Sequence, residues 1–125
     1  MRLIAVSVLG LVLAGCASSS GIRPEQEVSV QPYADRVEAE CIKYRAPESN
    51  GQSLSDSDVQ KLCQSQAGRF ASVSESYMSI ALSPAAIERC KEKGPEQETA
   101  CIVKLQENYY ENNVNKMIQS FQAKQ

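Results

Sequence analysis

The residues able to do chemistry in this chain are few: five cysteines, Cys16, Cys41, Cys63, Cys90 and Cys101, with no histidine and no tryptophan. Without histidine there is no Ser-His-Asp triad, no Cys-His dyad, no HExxH zinc site and no ordinary general base near neutral pH. The sequence also lacks a phosphate loop, a GxSxG or SxxK motif, and carboxylates spaced for glycoside chemistry. These gaps point to a protein that is not an enzyme and needs no cofactor. Thirteen basic against fifteen acidic residues, a net charge of −2, leave no electrostatic footprint for nucleic acid. A chain of 125 residues supports one domain.

Cys16 stands apart from the other four cysteines. It follows a short basic start, Met1-Arg2, and a nearly continuous apolar run from Leu3 to Ala14. That run is too short to span a bilayer as a helix, which takes about 20 residues. It ends in Leu13-Ala14-Gly15-Cys16, which resembles the lipobox of bacterial lipoproteins. The resemblance covers only these first residues. It implies that 1–15 are a signal peptide cleaved after Gly15, and that Cys16 carries a diacylglyceryl thioether and an acylated amine. With Ala17 rather than Asp next, it also implies the outer membrane, with the domain facing the periplasm. Each buried methylene of the acyl chains contributes about 0.8 kcal/mol, so the anchor needs no help from the protein surface.

Residues 16–28 then form the lipidated cysteine and a small, polar, aperiodic stretch expected to be a flexible linker, with the folded domain at 29–125. Apolar periodicity places four helices in that domain. The first covers Tyr33 to Arg45, with the stripe Tyr33, Val37, Cys41 and Tyr44, and Ala46-Pro47 is expected to stop it. The second covers Asp56 to Leu82, capped by Ser55 and Asp58, with Val59, Leu62/Cys63, Gln66/Ala67, Phe70, Val73, Tyr77 and Ile80 on its apolar line. Ser83-Pro84 opens a short third helix to Lys93, and Gly94-Pro95 separates it from a fourth over Glu96 to Gln122. No segment alternates with period two. The expected class is all-α, a small four-helix domain of two long and two short helices.

Four cysteines in an exported domain suggest two disulfides. The intervals of 21, 26 and 10 residues contain no CxxC knuckle, so no metal site is expected. Cys41 and Cys63 flank the turn near Asn50-Gly51, and Cys90 and Cys101 flank Gly94-Pro95, so each pair sits at similar height on a helical hairpin. If the third helix folds back along the second, Cys63 and Cys90 end some 20 Å apart. A disulfide needs Cα atoms within about 7 Å. The expected bridges are therefore Cys41–Cys63 and Cys90–Cys101, acting as structural staples rather than a redox pair.

Two further features are candidates for partner binding. Ser65, Ser72, Ser76, Ser79 and Ser83 form one stripe on the second helix, which reads either as a close-approach groove for another helix or as a solvated polar face. Tyr109 and Tyr110 read either as interface residues or as two tyrosines flanking the core, about 100° apart on the fourth helix. The expected function is that of a lipid-anchored envelope protein that binds another envelope protein. In size, anchor and helical class the chain is similar to the pilotins, lipoproteins that escort secretin subunits to the outer membrane. That likeness is one of architecture and rests on no motif. The alternatives are an inhibitor or immunity-type lipoprotein that neutralises a toxin or hydrolase, and a purely structural envelope lipoprotein.

Overall fold

The structure, a computed structural model, describes residues 21–51 and 55–123. The lipobox and Cys16 lie outside the described residues. Four α-helices follow a single 3-10 turn at Pro24–Gln26: α1 (Gln31–Gly51), α2 (Asp56–Ala81), α3 (Pro84–Lys91) and α4 (Pro95–Ala123). No strand occurs among the described residues. The two longest helices, α2 and α4, each extend about 40 Å at 1.5 Å per residue.

Local chemistry accounts for the boundaries. Ser55 Oγ accepts from the Asp58 N–H at 3.1 Å, and the Asp58 carboxylate accepts from the Ser55 N–H at 3.3 Å, a reciprocal cap at the start of α2. Ser83 Oγ accepts from Ala86 N–H at 3.2 Å, with Pro84 in the first turn of α3. Gly94, at φ +100°, occupies a conformation that any other residue would strain, and turns the chain into α4. One expected boundary fails: α1 does not stop at Ala46-Pro47 but continues to Gly51. A proline inside a helix forfeits a single backbone donor, and the residues beyond it still have carbonyls to bond to.

Arg36 reaches Glu111, and Gln122 reaches the Tyr44 hydroxyl, so α1 and α4 run in the same direction. α2 returns between the ends of α1 and α3. Val37, Cys41, Val59, Cys63, Phe70, Tyr110 and Val114 are among the buried residues that these three helices bring together as the main core. A second, smaller core gathers Ile22, Leu82, Ile87, Cys90 and Ile102 around α3 and the first half of α4. Each core holds one disulfide, Cys41–Cys63 with Cα atoms 5.5 Å apart and Cys90–Cys101 at 5.4 Å. The pairing is as expected, although α3 packs mainly on α4 rather than back along α2.

The apolar line of α2 also departs from expectation. Val59, Cys63, Ala67 and Phe70 are buried, but the line then turns to Ser74, Met78 and Leu82. Val73, Tyr77 and Ile80 are 49, 58 and 74% exposed. The reason is the length of the neighbour. α1 begins only at Gln31, so the C-terminal half of α2 outruns it and is covered instead by α4, from a different side.

Candidate functional site

The stretch expected to be flexible linker is, from Gly21 onward, a packed strap. Ile22, Gln26 and Val30 are buried, whereas residues 17–20 lie outside the described residues. Two glutamines, 1 and 2% exposed, explain how a polar segment docks. Gln106 on α4 donates from Nε2 to the Gln26 carbonyl at 2.7 Å and accepts at Oε1 from the Val28 N–H at 3.1 Å. Its amide thus offers the strap the donor and acceptor that a neighbouring β-strand would offer. Its second amide hydrogen goes to the Ile102 carbonyl at 3.2 Å, leaving the buried amide satisfied. Gln26 itself accepts from the Arg23 N–H at 3.1 Å and donates to Thr99 Oγ1 at 3.3 Å. Arg23 adds ion pairs to Glu25 (2.8 Å) and Glu98 (3.1 Å).

The strap forms one wall of an open cleft of about 510 Å³. The C-terminal half of α2 also lines it, together with Ile87 of α3 and Gln106 and Tyr110 of α4. The cleft therefore sits at the seam of the two cores: Val30 and Tyr110 belong to the large one, and Ile22, Leu82 and Ile87 to the small one. Met78 touches both cores and contributes to the floor.

Two carboxylates flank this apolar floor, Glu27 on the strap and Glu75 on α2, and no lysine or arginine lines the cleft. Neither carboxylate has an ion-pair partner among the described residues, unlike Glu25 and Glu98, which share Arg23. The Tyr110 ring is 2% exposed and packs against Tyr33 at 5.1 Å and Tyr109 at 5.5 Å. Its phenol is pushed up to about 12, first by burial and then by the negative charge of Glu75, with further contributions from Tyr109, Tyr33 and Glu27. Both flanking carboxylates thus act on the same hydroxyl. That hydroxyl makes no hydrogen bond within the described residues.

The residues singled out from the sequence are divided by the fold. Ser79 and Tyr110 come together as lining of the cleft. Ser65, Ser72, Ser76 and Ser83 are exposed and do not line it; Ser76 Oγ donates to the Ser72 carbonyl at 2.8 Å. Tyr109 is half-buried and donates its hydroxyl to the Ser74 carbonyl at 2.7 Å, tying α4 to α2. Of the adjacent tyrosines, Tyr110 is core and Tyr109 lies at its edge. Sequence reasoning missed Gln26, Glu27, Glu75 and Gln106. The signal for Gln106 is its place in the fourfold rhythm Ile102, Gln106, Tyr110, Val114, where a polar residue interrupts an apolar line. For the strap it is the recurrence of Ile22, Val28 and Val30 in an otherwise polar stretch.

Among the described residues no group of three or more His, Cys, Asp or Glu side chains is placed to hold a metal, and Cys41, Cys63, Cys90 and Cys101 are all consumed in disulfides. No helix among them is long and apolar enough to cross a membrane. What the site offers is an apolar floor, two negative flanks and a hydroxyl donor. Comparison with known proteins returns no match to a family model, to a curated protein or to a solved structure.

Proposed function

We propose that this chain is a non-catalytic, lipid-anchored envelope protein that captures a segment of another envelope protein in the cleft between the strap and α2. The observation that carries the reading is the cleft itself. Its volume of about 510 Å³ falls in the range of binding sites, roughly 300–1,000 Å³, and apolar side chains lie beneath polar flanks. The lipobox supports the anchor. Cys16 precedes Ile22 by six residues, which span at most about 20 Å. On this reading the wall of the cleft is the chain leaving the membrane, a placement suited to a pilotin-like escort.

The test is a crosslinked pull-down of the tagged full chain from detergent-solubilised envelopes, with mass spectrometry of the captured proteins. A near-stoichiometric envelope protein is expected with the wild type, and loss of it with Ser79→Trp, which fills the cleft from an exposed position. An empty pull-down overturns the reading. Labelling with palmitate, and its loss in Cys16→Ser, checks the anchor. One observation favours a second reading: Val73, Tyr77 and Ile80 form an exposed, convex apolar ridge on α2, the shape an inhibitor-type lipoprotein inserts into an enzyme. Capture lost with Tyr77→Ser and Ile80→Ser, but kept with Ser79→Trp, would select it.

A further inference from the structure

We infer that the occupant of the cleft is a cationic apolar peptide segment, one that carries a lysine or arginine beside leucine-sized side chains. The inference rests on the binding role proposed above and adds the chemistry of the partner. Glu27 lines the cleft from the strap and Glu75 from α2, and no lysine or arginine among the lining residues neutralises them. On α2 the position best placed to do so is four residues after Glu75, where a lysine or arginine would form the favoured helical ion pair. That position is Ser79. The cleft thus keeps two open carboxylates over an apolar floor of Met78, Leu82 and Ile87.

Tyr110 supplies the second, independent observation. It is 2% exposed, lines the cleft, and has no hydrogen-bond partner for its hydroxyl among the described residues. The hydroxyl oxygen is not sealed from solvent, so an acceptor entering the cleft takes the place of water there. A peptide occupant satisfies all three features together. Its apolar side chains cover the floor, its ammonium or guanidinium lies between the carboxylates, and a backbone carbonyl accepts from the Tyr110 hydroxyl. An anionic segment meets two unscreened carboxylates and is rejected, which makes charge the source of specificity.

The probe is a short fluorescent peptide of alternating leucine and lysine, compared with its leucine–glutamate counterpart. Both are titrated onto the full chain in zwitterionic nanodiscs, with empty nanodiscs as the blank. The basic peptide is expected to bind at least about tenfold more tightly than the acidic one, and to weaken as salt is raised. Ser79→Lys, which supplies the cation from within, and the double variant Glu27→Gln/Glu75→Gln are each expected to reduce binding by about tenfold. Both act at exposed positions, so circular dichroism should report an unchanged fold. Carbodiimide coupling should join the peptide's lysine amine to Glu27 or Glu75, read by mass spectrometry of the crosslinked fragment. Equal binding of the two peptides, no binding of either, or unchanged binding by the double variant overturns the inference. A partner captured in the pull-down while the basic peptide fails to bind removes only the charge assignment. An empty pull-down beside a binding peptide removes the proposed role and leaves the chemistry of the cleft intact.

Discussion

The two cores of this molecule are built by opposite means. The large one joins three helices of 21, 26 and 29 residues, whose buried faces are mostly aliphatic and aromatic. The small one is assembled from an eight-residue helix, the strap and the first turns of α4. Neither the strap nor α3 is long enough to be stable alone, since isolated helices under about 12–15 residues are marginal in water. The small core therefore depends on cross-links: a disulfide closing only 11 residues of sequence separation, and two buried glutamines that substitute for a sheet partner. Both cores carry a disulfide, but the long helices add continuous apolar burial to it, whereas the short segments need specific polar ties as well to stay in place.

The strongest way to break this contrast is to remove each disulfide in turn. On the chain-entropy model both contribute about 3 kcal/mol. Cys41→Ala/Cys63→Ala should lower the stability of the whole domain in a denaturant melt. Cys90→Ala/Cys101→Ala should act locally, with amides of α3 and the strap exchanging faster while α1 and the second half of α4 keep their protection. Uniform loss of protection in both variants would show a single cooperative unit.

Gln106→Leu comes next, at about 2 kcal/mol, because it leaves the Val28 N–H and the Gln26 carbonyl without partners. Hydrogen exchange should locate the damage in the strap, and on the proposed reading the basic peptide should bind more weakly. Gly68→Ala should stabilise by about 1 kcal/mol, since Gly68 sits inside α2 and nothing lies within 4 Å of an added Cβ. The denaturation midpoint should rise without any change in the local opening of the small core.

The smallest effect concerns the Arg36–Glu111 pair at 2.6 Å, between α1 and α4. The hydrogen bond and charge of Arg36 hold the Glu111 carboxyl below its usual value. Its contribution is therefore present above the unfolded carboxyl value, near 4.5, and is lost as pH falls through the lower folded one. Both side chains are nearly half exposed, so solvent screening limits the pair to about 0.5 kcal/mol. Glu111→Gln should flatten this small acid-side slope in denaturation midpoints measured across pH.

Much of this architecture is legible in the sequence. The caps at Ser55 and Ser83 and the break at Gly94 are local signals, and local signals place helices well. Both disulfide pairings followed from hairpins that those boundaries define. What was not legible depends on which neighbour covers which face. Val73, Tyr77 and Ile80 keep a helical apolar period, yet no helix lies over them, because α1 begins too late to reach. The strap reads as linker because its composition is polar, and composition does not record that Gln106 bonds the Gln26 carbonyl across 80 residues of sequence. Of the cleft, the sequence points to Ser79 and Tyr110 alone as binding candidates, since its carboxylates come from segments that periodicity treats as surface.

The way the strap is fastened also gives the molecule a direction of mechanical weakness. Tension from its N-terminal side meets Ile22 first, then the Arg23–Glu98 pair, then the Gln26 and Gln106 bonds, one after another. Fastenings met in sequence peel, whereas the long helices of the large core, packed side by side, must slide past one another all at once. A pull on that end therefore strips one wall from the cleft while the three-helix body stays intact.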